Sequence, residues 1–267
     1  MSPRTGPSRP RISAVRIRVF GAYGGSTPWH RQTSFLLDGT VSLDAGALTQ
    51  SLTLEEQSRV RSIIVTHSHL DHIASLPFLV ENVFGRTEGP IEVIGPKDVT
   101  ALLQDHLFND AIWPDFTRIP THFLPAVTFR VIEAGVPFRV NGLHALAIPV
   151  SHVVPTYGYI LWDDHSCVVF SSDTGPTEAL WAEARARADL KAIFVECSFP
   201  DSMSEIADVA KHLTPATLHQ EMRKFPAAVP VNLYHMKPPT LPELRADVAA
   251  LSDPRIRLLD DGDELDF

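Results

Sequence analysis

The sequence predicts one layered α/β domain, and three observations predict it. Short runs rich in Val, Ile and Leu recur along the chain, stretches of helical composition separate them, and 44% hydrophobic content over 267 residues is enough for one large core. No Ser- or Gly-rich linker, internal repeat or shift of composition divides the chain. Residues 12–267 therefore read as a single domain behind a frayed tail at 1–11 that carries Arg and Pro.

The runs share an ending. In chain order they are VSLDAG, which stops at Asp44; SIIVTHSHLDH, which stops in His67, His69, Asp71 and His72; LAIPVSH, at His152; CVVFSSDTG, at Asp173; AIFVECS, at Glu196; and VNLYHMK, at His235. A strand that stops at such a residue delivers it to one rim of a sheet, so the endings imply one polar site assembled from distant segments. Helices are expected at about 71–83, 97–108, 176–188, 204–211, 215–225 and 241–251, the last announced by Thr240 and Glu243 as a capping box with Pro242 in the first turn. Cys167 and Cys197 are the only cysteines, each within a strand-like run and without CxxC spacing. A disulfide framework and a thiolate zinc site are not expected, and a reducing cytoplasm is the expected compartment.

In the second run, extended backbone from 67 to 71 would put His67, His69 and Asp71 on one side, and a helix starting at Asp71 would bring His72 round to them. A single His or Asp after a strand is ordinarily a loop residue satisfied by backbone groups. Three imidazoles and a carboxylate together have no compensating chemistry without a cation. A hydrolytic metal site needs neutral imidazoles and carboxylates that leave a coordination position for water. Two metals would need roughly seven or eight protein ligands; the cluster supplies four, and His152, Asp173 and His235 supply three more if Asp173 bridges.

Composition excludes some classes. The formal net charge of −9 opposes the extended basic surface that a nucleic-acid polymer requires, so a small substrate is expected and a polymer is not. No apolar stretch approaches the ~20 residues that cross a bilayer, and the first twenty residues lack an apolar leader core, so no membrane partner is expected.

THSHLDH, followed in order by His152, Asp173 and His235, resembles the metallo-β-lactamase superfamily, and the likeness spans most of the chain. It implies an αββα sandwich with a dinuclear site on the sheet rim. Carried over by position, His67, His69 and His152 would hold one metal, Asp71, His72 and His235 the other, and Asp173 both. Asp44 would orient a ligand from behind. Ser75 stands where the superfamily usually has Gly, a departure that concerns helix packing. Within the superfamily, HSHLDHIASLP and ECSFPDS…KHLTPATL resemble the class II 3′,5′-cyclic-nucleotide phosphodiesterases, with Leu70 between the second His and the Asp and an HLTP segment after an acidic strand end.

The resemblance implies hydrolysis of cyclic AMP or cyclic GMP to a 5′-nucleotide by attack of a hydroxide bridging two divalent metals, zinc first, with Mn or Fe as alternatives. Asp71 then counts as a catalytic group as well as a ligand. His212 would protonate the leaving 3′ oxygen and Glu196 would orient its ring. Two other readings stay open: a tRNA 3′-processing endonuclease or another hydrolase of this fold, and a metal-binding sensor without turnover. The complete ligand set argues against the sensor, and the acidic charge with no Gly- and basic-rich arm argues against the endonuclease. The Gly-rich stretch at 21–26 lacks the P-loop lysine and reads as a hairpin turn rather than a phosphate cradle. Residues 106–123, rich in aromatics and broken by Pro, would serve as a lid or as a homodimer surface, with Trp113 either stacked on a base or packed in the core. His30, His122, His144, His165 and His219 have no identifiable partner.

Overall fold

Residues 15–121 and 124–267 are described by the computed structural model; the tail expected at 1–11 and His122 lie outside them. Two mixed seven-stranded sheets carry the chain. The first runs in the order Glu264–Asp266, Arg16–Gly21, Ser34–Leu37, Val41–Leu43, Ser62–Ile64, Ile91–Pro96, Val127–Ile132. The second runs Ile256–Leu258, Val231–Tyr234, Leu190–Glu196, Cys167–Phe170, Tyr157–Trp162, Leu143–Pro149, Phe138–Val140. In each, an antiparallel half joins a parallel half built by helical crossovers.

The central strands are buried on both faces, which explains their near-continuous apolar runs, while the edge strands Glu264–Asp266 and Ile256–Leu258 are partly exposed. Ile64 and Ile94 point into the core between the sheets, while Ile63 and Val93 point to the outer helices. Phe35 of the first sheet meets Phe170 and Tyr234 of the second with ring centroids 5.0 and 5.1 Å apart. Each such side chain removed from water is worth about 1.5–3 kcal/mol. Helix Leu76–Val83 lays Leu76, Leu79, Val80 and Val83 on the outer face of the first sheet. Leu180, Trp181, Leu218, Leu244 and Val248 from three helices cover the second. This is the αββα sandwich that the sequence resemblance implied.

Several expected elements are corrected. The helix expected at 71–83 is two, Leu70–Ile73 and Leu76–Val83. Between them the Ser75 amide and hydroxyl both donate to Ala45 O, at 2.8 and 2.7 Å, and so leave the helical ladder. The expected capping box at 240–243 does not form: the Thr240 hydroxyl donates to Lys237 O at 3.3 Å instead. The stretch expected at 176–188 is helical over Ala179–Arg185, and 215–225 ends as a 3₁₀ turn at Met222–Lys224. Helices Leu48–Ser51 and Leu54–Gln57 had not been anticipated. Trp113 packs edge-on against Phe78 on the outer helix, ring centroids 5.0 Å apart, so it is part of that layer.

Candidate metal centre

All six polar endings arrive at one rim. Val41–Leu43, Ser62–Ile64, Cys167–Phe170, Leu190–Glu196 and Val231–Tyr234 run parallel to a neighbour and release their C-terminal ends there, where ligands gather in open α/β sheets. Asp173 is the hub. Its Oδ2 lies 3.2 Å from His235 Nε2, 3.5 Å from His67 Nε2 and 4.0 Å from His152 Nε2, and its Oδ1 lies 3.3 Å from His72 Nε2. His69 turns Nδ1 to within 3.2 Å of His152 Nε2, and Asp71 Oδ2 is 3.6 Å from His235 Nε2. The donors fall into a group of His67, His69, His152 and Asp173 and a group of Asp71, His72 and His235, with donor atoms within 4.8 Å of one another in each. His212 completes a third group only by sharing Asp173 and His235.

Behind the rings, acceptors set the tautomers. Asp44 Oδ2 accepts from His72 Nδ1 at 2.7 Å and from the Thr66 hydroxyl at 2.9 Å. That hydroxyl, having given its proton to Asp44, accepts from His67 Nδ1 at 2.9 Å. Lys211 O accepts from His152 Nδ1 at 3.2 Å, and Thr33 Oγ1 lies 2.9 Å from His235 Nδ1. Each pairing leaves a bare Nε2 lone pair facing inward, as a metal ligand requires. Burial, then the charge of His72, pushes His67 well below the ordinary imidazole range, and burial brings His152 down to about 4 and His235 well below that range. Burial opposes charge on Asp173, yet His235, His72 and His67 hold it well below the ordinary carboxylate range. His72 is the exception: burial works against its charge, but Asp173 and Asp44 outweigh it and hold the ring well above the ordinary imidazole range. It would give up a proton to a cation that the neutral His67, His152 and His235 and the ionised Asp173 are already in the state to bind.

The fit is tested by atoms without partners. His67 Nε2, His72 Nε2 and Asp173 Oδ1 are buried with no hydrogen bond, and all three face the same space. Such orphans are costly unless something unprotonated and positive meets them. Imidazole and carboxylate donors suit zinc, manganese or iron.

Beside the centre, Glu196 Oε1 accepts from His212 Nδ1 at 2.7 Å and from Thr174 N at 3.0 Å, while Oε2 accepts from the Ser198 hydroxyl at 2.8 Å. The His212 ring stands 5.0 Å from that of His152 and 5.5 Å from that of His235. Burial works against charge on His212, but Glu196 outweighs it and holds the group above its ordinary range. Helix Ser204–Ala210 ends at Lys211 in the left-handed region, φ 57°, which turns His212 inward and gives His152 its carbonyl partner. The His212 amide helps close the helix by donating to Ala207 O at 2.8 Å, while its ring turns away to Glu196.

Two features lay beyond the sequence reading. Lys237 Nζ donates to Gly24 O at 2.9 Å and lies 3.2 Å from His235 Nε2 and 3.7 Å from Asp71 Oδ2. A Cβ at Gly24 would come within 2.5 Å of His235 Nε2, so the loop's approach requires glycine there. The Gly-rich stretch is more than a hairpin: Thr27 and His30 exchange backbone hydrogen bonds, but Gly24 N donates to Met236 O. Its stem is clamped by residues more than 200 positions later in the sequence. Asp261 accepts from Ala22 N at 3.0 Å and Arg31 N at 2.8 Å, and Asp260 accepts from the Tyr23 hydroxyl at 2.8 Å. Thr33, Thr66 and Ser198 were also missed; neutral hydroxyls carry no signal until their histidine is placed.

A family model described as "Beta-lactamase superfamily domain" matches residues 33–236. The chain belongs to this family and has the metallo-β-lactamase fold. It is 28% identical over 200 residues to the 3′,5′-cyclic-nucleotide phosphodiesterase 1 of Saccharomyces cerevisiae, covering 66% of this chain and 53% of that one. It is 30% identical over 139 residues to the ribonuclease BN of Proteus mirabilis, covering 51% of this chain and 43% of that one. The chain thus spans about half the length of these curated relatives. The crystal structure of unliganded yeast PDE1 superposes with a TM-score of 0.78 at 20% identity, covering 96% of this chain and 100% of that one, which shows the shared fold. No helix among the described residues is long and apolar enough to cross a membrane.

Proposed function

We propose that residues 12–267 act as one catalytic domain that hydrolyses 3′,5′-cyclic nucleotides to 5′-nucleotides. His67, His69, His152 and Asp173 would hold one divalent cation, and Asp71, His72, His235 and the shared Asp173 a second, most simply zinc. Two bound cations supply a nucleophilic water near neutral pH and neutralise charge on the phosphoryl oxygens. In-line attack forms a new P–O bond as P–O3′ breaks. The 3′ oxygen, a poor leaving group as an alkoxide, takes its proton from His212 Nε2, while Glu196 Oε1 keeps Nδ1–H engaged and the ring aligned.

The observation that carries this reading is the Glu196–His212 pair beside the donor cluster, because a buried imidazole held by a buried carboxylate at this distance is the arrangement of a proton donor. The choice of a small diester is supported by the net charge of −9 and by the similarity to a cyclic-nucleotide phosphodiesterase. The ribonuclease BN similarity favours a second reading, cleavage at the 3′ end of a precursor tRNA. Purified protein assayed on cyclic AMP, cyclic GMP and a precursor tRNA separates the two. Conversion of cyclic AMP to 5′-AMP is expected; efficient tRNA cleavage with both cyclic nucleotides inert would overturn the first reading in favour of the second.

A further inference from the structure

A cavity of ≈ 410 Å³ opens beside the metal centre, its walls formed by Gly24, Gly25, Phe199, Met203, Lys237 and Pro238 among others. Its position is specific. On one side Lys237 Nζ lies 3.2 Å from His235 Nε2 and 3.7 Å from Asp71 Oδ2. On the other the Phe199 ring stands 5.7 Å from that of His212. The cavity is therefore lined by Lys237, a neighbour of the second donor group, and by Phe199, a neighbour of the proposed proton donor.

We infer that this cavity receives the base of a nucleotide whose phosphate lies at the metal centre, with Phe199 as the face on which the base stacks. The inference rests on the phosphodiesterase reading for the placement of the phosphate. If His212 protonates O3′, the ribose that carries O3′ lies on the His212 side of the phosphate, and its base extends toward Phe199. The volume is that of a small-molecule site. Lys237 is the single ionisable residue in the lining, so no carboxylate repels a phosphate in a protein of net charge −9. The ammonium stands at the inner end, where the phosphate would arrive.

The lining also indicates how the base is read. Thr27 Oγ1 is engaged with His30 Nδ1 at 2.7 Å and accepts from Trp29 N at 3.1 Å, and the Thr240 hydroxyl donates to Lys237 O. Of the lining hydroxyls, those of Thr27 and Thr240 are engaged within the protein and only the exposed Ser26 hydroxyl is free among the described residues. Apart from Lys237, the rest of the lining is a ring, a thioether, prolines and two glycines, which recognise the flat face of a base rather than its edge. A Cβ at Gly25 would lie 3.1 Å from Pro238 Cδ, so a branched side chain there would narrow the space from the opposite wall.

The test compares 5′-AMP with ribose 5-phosphate, which share sugar and phosphate and differ only in the base, by calorimetric titration of the metal-loaded protein. The parent should bind 5′-AMP about 10- to 100-fold more tightly. Phe199→Ala should close most of that gap, and close it alike for 5′-GMP, whereas Phe199→Tyr should preserve it. Gly25→Val, which leaves Phe199 in place, should close it independently, and a melting curve on each variant checks folding. Equal binding of the two ligands by the parent, or a gap that survives in folded Phe199→Ala and Gly25→Val, overturns the assignment. Base-dependent binding with cyclic AMP inert supports the cavity and sinks the hydrolysis reading; hydrolysis without base-dependent binding does the reverse.

Discussion

At the end of the sandwich away from the histidines, positive φ falls on Asp38 and Gly39 and on Asn141 and Gly142. At the histidine end it falls on Asp44, Ser172, Lys211 and His235. The first set sits in hairpins, where two successive residues with positive φ match the twist of the flanking strands, and Asx–Gly pairs adopt that conformation readily. In the second set Lys211 closes a helix, where a left-handed residue is common, but Asp44, Ser172 and His235 make no hairpin. At Ser172 and His235 the left-handed backbone costs roughly 1–2 kcal/mol per residue without local chemistry that offsets it, and packing imposes it. Each case aims a donor: Ser172 precedes Asp173, Lys211 precedes His212, and Asp44 and His235 are themselves part of the cluster. One end is shaped by local preference and the other by what it must hold, so substitutions at the two ends should fail in different ways.

The largest break is expected at the hub. Asp173→Ala removes the carboxylate within 4.0 Å of four imidazoles, and elemental analysis should show the greatest fall in metal content of any single donor variant, with activity lost. Full metal content in that variant would sink the bridging role. Next comes His212→Ala, which should slow cyclic-nucleotide turnover by about 10²–10⁴-fold while a nitrophenyl phosphodiester, whose leaving group needs no proton, suffers far less. Metal content and melting temperature should stay near the parent's; equal losses on both substrates would move His212 from proton donation to phosphate binding. Asp44→Asn, which disturbs the acceptor shared by His72 and Thr66, should weaken metal retention by about 10–100-fold in a chelator titration with less change in folding.

The far end should answer in stability alone. Gly142→Ala, at φ 92°, should lower stability by about 1 kcal/mol or more and leave turnover per folded molecule unchanged. The smallest effect belongs to Asp253, brought down to about 2 by its hydrogen bonds from Arg255. A depressed carboxylate contributes stability above its unfolded value of about 3.9 and loses it as pH falls toward about 2. Asp253→Asn should therefore melt slightly below the parent near about pH 5, by under ~1 kcal/mol for a pair at the surface, and the two curves should converge near about pH 2. A difference that grows with acid would reverse the sign.

All six polar strand endings were legible in the sequence, because an apolar run ending in His, Asp or Glu announces both its burial and its rim. The hydrophobic pattern likewise carried the layered class. What was not legible depends on partners distant in sequence. Thr33 serves His235 across 202 residues, and nothing near position 33 announces it. Ser75 breaks a helix because its amide and hydroxyl are claimed by Ala45. Thr240 and Glu243 have the composition of a capping box, yet the Thr240 hydroxyl has a nearer acceptor in Lys237 O. Lys237 looks like any lysine after a strand until the loop at Gly24 closes over it.

The clamp on that loop has a consequence in time. The hydrogen bonds from Ala22 and Arg31 to Asp261 span 239 and 230 residues. A ribosome adding about 5–20 residues per second needs roughly 10–50 s to make the interval between loop and anchor. Throughout that interval residues 22–31 exist without the two aspartates that hold their stem, and one wall of the cavity has no fixed position. The histidine cluster at 67–72 emerges early, but its last donor, His235, and the loop's anchor emerge within 26 residues of each other. The centre and its entrance are thus completed almost together.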